Sequence, residues 1–107
     1  MLATVVSRPT AERAIIDAGS KALTSDTLGL DGFGFLPDYP QAVLRRLSEE
    51  HGTLDLPACA ARPVLGQRLR IIPNHACVVS NLFDHVVLVS GHRVVEAVEV
   101  SARGRVD

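Results

Sequence analysis

A chain of 107 residues has room for one domain. Its 47% hydrophobic content excludes a disordered tail, and with only 4% aromatic residues the core has to be assembled from Val, Leu, Ile and Ala. A formal net charge of -1 excludes the strongly basic face of a nucleic-acid binder and leaves Arg45-Arg46, Arg68, Arg70, Arg103 and Arg105 as short solvated spots.

In chain order, "MLATVVSRP" enters directly as a strand, with Pro9 expected to end it. Residues 10–13 suit a single helical turn capped by Thr10. "RAIIDAG" reads as a second strand and "SKALTSD" as a polar turn. Residues 27–41, punctuated by Gly29, Gly32, Gly34, Pro37 and Pro40, form an irregular segment of the length usually kept for function or an interface. "AVLRRLSEEHG" fits either a helical face or a strand over residues 42–48, and the neighbouring strands favour the strand. "TLDLP" alternates with period two, as a short strand does, and "ACAARPVLGQ" is a loop. In "RLRIIP", Leu69 and Ile71 fall on one face, Arg68 and Arg70 on the other. A short helix fits residues 76–82. "HVVLV", "SGH" and "RVVEAVEV" then read as a β-hairpin with Gly91 in the turn. The expected fold is therefore all-β and mainly antiparallel: one domain over residues 1–107, a small barrel or sandwich with one short helix.

Two cysteines make no disulfide framework. The amino terminus lacks the order of a signal peptide, and no apolar run approaches the roughly 18 residues of a membrane helix. A cytoplasmic setting, no membrane partner, and Cys59 and Cys77 as thiols are the resulting expectations.

The chemistry-bearing stretch is "LRIIPNHACVVSNLFDHVVLV". In an extended segment, His75 and Cys77 would point to the same side. An imidazole nitrogen and a thiolate could then meet one ion at about 2.0 and 2.3 Å, the zinc distances, while the sulfur disfavours calcium and magnesium. Two ligands make only half of a closed shell. A buried structural cysteine beside a hydrogen-bonded histidine is the plainer alternative, and at this level both stand. A Cys77 thiolate activated by His75, His85 or His92, and a Cys59–Cys77 redox pair, lack a supporting motif. Lys21, the only lysine, and the Glu49-Glu50-His51 run read as solvated surface. Asp84 is placed to hold an imidazole or a backbone amide.

Taken together, "DAGSK", "SEEHG", "PNHAC" and the final "ARGR" make the chain resemble the carboxy-terminal domain of the D-threonine aldolase / D-serine dehydratase-like enzymes. The resemblance runs over nearly the whole chain. It implies a two-domain enzyme whose amino-terminal α/β barrel, absent here, carries pyridoxal 5′-phosphate. It also implies a D-β-hydroxy amino acid substrate and a homodimer. The family's β-domain takes a further strand from the extreme amino terminus, so an open sheet edge is expected here. The family's metal ligands map onto His75 and Cys77, and cysteine at the second position favours zinc over manganese. By the same resemblance this domain is a lyase component, inactive in isolation. Lys21 lies in "DAGSK" and is not the cofactor lysine. Two other readings remain: a freestanding β-barrel module that binds a protein or small ligand without catalysis, and a small thiol enzyme built on Cys77.

Overall fold

The computed structural model describes residues 1–105. Strands β1 (Leu2–Thr10), β2 (Arg13–Ile16), β4 (Val43–Leu47), β5 (Gly52–Asp55) and β6 (Arg68–Arg70) form an antiparallel sheet in the order β4-β5-β2-β1-β6. Two-residue strands β3 (Gly34–Phe35) and β7 (Ile72–Pro73) pair beside it. Helices α1 (Ser20–Leu23) and α2 (Ala76–Leu82) lie in contact, and β8 (His85–Ser90) with β9 (Arg93–Glu99) form a separate hairpin. The all-β class is as expected. Among the described residues the sheets are not closed into a barrel, and there are two short helices where one was expected.

Register explains the core. Leu44 pairs with Leu54, and Leu54 with Ala14; Ile16 pairs with both Gly52 and Val5, and Ala3 with Leu69. Because side chains alternate along each strand, these residues share one face. All of them except glycine belong to the buried cluster, which Ile71, Leu23, Leu36, Leu56, Cys59 and three alanines, Ala18, Ala22 and Ala42, complete. Burying each Leu or Ile fully contributes about 1.5–3 kcal/mol. Gly52 is required where the chain after β2 crosses the sheet: a Cβ there would lie 2.8 Å from the Ala18 carbonyl oxygen and 2.8 Å from Leu44 Cδ1.

Three local expectations are corrected. Pro9 does not end β1, which continues to Thr10. Beyond Thr4, β1 no longer pairs with β6, and its register with β2 shifts between Ser7 and Thr10. A residue without an N–H is tolerated at such an irregular edge. Residues 10–13 form no helical turn: Thr10 pairs with Arg13 across a tight hairpin, and Arg8 and Arg62 both donate to the Ala11 carbonyl, at 3.0 and 2.9 Å. Finally, "SKAL" is the helix α1, whose Ala22 and Leu23 are buried in the core, so this segment is not simply a polar turn.

Candidate metal centre

The candidate site lies where the β3–β7 ladder hands over to α2. Pro73 pairs with Gly34, after which His75 occupies the N-cap position of α2 with extended backbone (φ -123°, ψ 110°). Cys77 is already inside the helix. The two residues therefore do not share the extended segment assumed above. They stand instead on either side of the helix start, His75 at the N-cap and Cys77 in the first turn. His75 makes no side-chain cap bond, so its imidazole remains available, and the Cys77 thiol is exposed and free.

Asn74 anchors this junction to the irregular loop. Its Nδ2 donates to the carbonyl oxygens of Thr27 and Gly32, each at 3.0 Å. The same loop carries Asp26. One carboxylate oxygen, Oδ1, accepts the Leu28 N–H at 2.9 Å, and the other, Oδ2, lies 3.4 Å from His75 Nδ1. The loop is conformationally strained where it leaves α1. Thr24 has φ 60° and ψ 164°, a region ordinarily reserved for glycine, and Leu28 has φ 51°.

The segments behind the family resemblance form one contiguous unit. The Ser20 and Lys21 amides at the start of α1 donate to the carbonyls of Ser48 and Glu49, at 2.8 and 3.1 Å. A Cβ on Gly19 would sit 2.3 Å from the Ser48 carbonyl oxygen, so "DAGSK" can lie on "SEEHG" only because that position is glycine. Lys21 Nζ reaches Glu50 at 2.6 Å and Glu49 at 3.4 Å. The hydrogen bond to Glu50 and its charge, reinforced by Glu49, hold the ammonium above the ordinary lysine range. The Glu49-Glu50-His51 run is thus partly engaged by Lys21, an ion pair that sequence reading did not find. α1 in turn packs beside α2, carrying the connection to His75 and Cys77.

The remaining candidates do not join the site. Cys59 is buried in the core and Cys77 is exposed, which leaves them as separate thiols. His85 and His92 are exposed at the base and the tip of the β8–β9 hairpin. Asp84 holds neither an imidazole nor an amide through its carboxylate: Oδ1 meets Arg103 Nε at 3.0 Å, while its backbone carbonyl accepts the Val100 N–H at 2.8 Å. Asp26, which faces His75, and Asn74, which anchors the preceding segment, were not found by sequence reading.

Among the described residues, no three His, Cys, Asp or Glu side chains converge into a complete metal cage. The donor chemistry of His75 and Cys77, a borderline nitrogen and a soft sulfur, suits zinc as half of a tetrahedral shell, with the other positions open to water or other ligands. Among the described residues, no helix is long and apolar enough to cross a membrane.

Comparison with known proteins places these features. Residues 1–89 match the family model described as "Putative serine dehydratase domain". An uncharacterised protein of Mycobacterium tuberculosis is 43% identical over 96% of this chain and 81% of its own length. The crystal structure of D-threonine aldolase from Filomicrobium marinum superposes with a TM-score of 0.86 at 35% identity, covering 99% of this chain and 28% of the aldolase chain. D-threo-3-hydroxyaspartate dehydratase from Delftia sp. HT23 gives a TM-score of 0.74 at 31% identity, covering 92% of this chain and 30% of its own. That dehydratase has also been solved with one histidine replaced by alanine and, in a metal-free form, with one cysteine replaced by alanine; the two positions are two apart in its sequence. The chain thus spans less than a third of the length of these two enzymes. By fold, by the docking of its motifs and by the match over residues 1–89, this chain belongs to the serine dehydratase domain family, alongside D-threonine aldolase and the D-serine and D-hydroxyaspartate dehydratases.

Proposed function

We propose that this chain is the metal-binding carboxy-terminal β-domain of a pyridoxal-phosphate-dependent lyase that acts on D-β-hydroxy amino acids. His75 and Cys77 are its metal ligands, zinc is preferred to manganese, and the domain is inactive in isolation. The observation that carries this reading is the His-x-Cys pair at the start of α2, with the imidazole free of capping and the segment anchored by Asn74. The metal-free form of the related dehydratase with a cysteine replaced supports it.

His75 Nε2 and Cys77 Sγ would hold the cation. When bound, it supplies Lewis-acid stabilisation of negative charge on the substrate's β-hydroxyl oxygen. Asn74 keeps the loop of residues 24–32 against the junction. Lys21, engaged with Glu49 and Glu50, takes no part in holding the cofactor, which belongs to the α/β barrel of the larger enzyme. The all-exposed β8–β9 hairpin and the outer edges of the five-stranded sheet leave room for that barrel and for a second copy in a homodimer. The setting we assign is cytoplasmic.

Equilibrium dialysis of zinc against the wild-type chain, His75→Ala and Cys77→Ala tests this. The wild type is expected to bind one equivalent, more tightly than manganese, and each variant at least about tenfold more weakly. Equal binding by all three contradicts the assignment. A second reading, a freestanding binding module without catalysis, is favoured by the Mycobacterium tuberculosis relative, most of whose length this one domain accounts for. Lyase activity appearing when a separately produced barrel is added, and never without it, would exclude that module.

A further inference from the structure

Asp26 lies 49 positions before His75 in the chain, yet its carboxylate is built into the site. Oδ1 is committed to the Leu28 N–H at 2.9 Å, and the Asp26 N–H is 3.3 Å from Thr24 Oγ1. Those contacts fix the orientation of the carboxylate and leave Oδ2 facing His75 Nδ1 at 3.4 Å. Asn74, the residue preceding the histidine, holds the same loop through two of its carbonyls. The acceptor opposite Nδ1 is therefore held from two sides and is not a chance surface neighbour.

We propose that Asp26 is the positioning residue for His75: its Oδ2 accepts the Nδ1 proton and so leaves the Nε2 lone pair as the metal-binding atom. A carboxylate accepts but does not donate, so a neutral imidazole facing it carries its proton on Nδ1. Which nitrogen of a histidine binds metal is set by the hydrogen bond that the other nitrogen makes. The 3.4 Å separation is that of an ion-pair contact, longer than an ordinary N–H···O bond. Asp26 faces Nδ1, the nitrogen opposite the one assigned to the metal. This assignment rests on the metal reading above for its consequence, but the tautomer it specifies can be observed without any metal.

The test uses the full chain and three side chains at one position. Asp26→Asn keeps the size and, through its remaining oxygen, the acceptor for Leu28. It presents an NH2 donor to Nδ1, which forces the imidazole proton onto Nε2. Asp26→Ser keeps a short acceptor for Leu28 and removes the group opposite His75. Long-range proton–nitrogen NMR of the metal-free protein is expected to show the Nδ1–H tautomer in the wild type, its inversion in Asp26→Asn and a mixture in Asp26→Ser. Zinc affinity is expected to fall about 10–100-fold in both variants, while the amide spectrum of the five-stranded sheet stays unchanged. The same His75 tautomer in all three proteins, or unaltered zinc affinity in Asp26→Asn, overturns the assignment. Failure of the wild type to bind zinc overturns the metal reading, and the tautomer comparison still decides the role of Asp26.

Discussion

The five-stranded body and the carboxy-terminal segment from α2 to β9 are built from similar apolar residues but use them differently. In β2 and β5 buried residues alternate with exposed or half-buried ones, and Ala14, Ile16 and Leu54 are fully enclosed. In β8 and β9 every residue is exposed; Val89 is 62% and Val94 64% accessible although the two pair directly. The hairpin carries valine and leucine on both faces, with Val86 and Leu88 on one and Val87 and Val89 on the other. Alternation with one apolar face describes a strand that this chain can satisfy by itself. Apolar residues on both faces describe one that it cannot, and an isolated two-stranded hairpin is marginal in water.

The sharpest way to break the comparison is one truncation in each region. Leu54→Ala removes a side chain packed between Leu44 and Ala14 and is expected to cost about 2–5 kcal/mol in urea unfolding. Val89→Ala in the hairpin should stay within about 0.5 kcal/mol. Equal losses would show that the hairpin is enclosed as the body is. Gly19→Ala is expected to be nearly as damaging as Leu54→Ala, because its Cβ would collide with the Ser48 carbonyl and displace α1, on which α2 rests. It should therefore weaken zinc binding as well as stability, whereas Leu54→Ala at a permissive temperature should spare it.

A smaller effect belongs to Asn74→Ala. Removing the donor to the Thr27 and Gly32 carbonyls should cost about 1–3 kcal/mol and loosen the loop that carries Asp26, read as faster amide exchange across residues 24–32. The smallest effects are electrostatic. The Lys21 ammonium is held above its ordinary range, so its stabilising contribution is complete at neutral pH and is lost only as pH rises through the folded value; Lys21→Met should lose that alkaline limb. The Arg70 guanidinium holds the Asp38 carboxyl below its ordinary range, so that contribution is present above the usual carboxylate range and is lost as pH falls through the folded value. Asp38→Asn should flatten the acid limb. Both pairs are exposed, and 1 M salt should shrink both effects.

How much of this was legible in the sequence depended on range. The α2 helix, the β8–β9 hairpin and the opposite faces of Leu69 and Arg70 follow from local pattern, and the structure has them as read. The strand β4 was ambiguous locally and is decided by its pairing with β5. α1 was missed because one turn of helix leaves no periodicity, and its burial depends on Gly19 crossing Ser48 and Glu49. Within the site, His75 and Cys77 announce themselves by residue type. Asp26 and Asn74 do not, because their partners are distant: Asn74 bonds Thr27 from 47 residues away. The residue types at "SKALTSD" and "PNHAC" held the signal, but only the fold brings the two segments together.

A metal centre at this junction requires His75 and Cys77 to provide one nitrogen and one sulfur to the same ion. X-ray absorption at the zinc edge of the loaded wild-type chain measures this directly. One sulfur at about 2.3 Å and at least one imidazole nitrogen at about 2.0 Å are expected, with light-atom ligands completing the shell. A zinc environment without sulfur, or one that keeps its sulfur in Cys77→Ala, would contradict it.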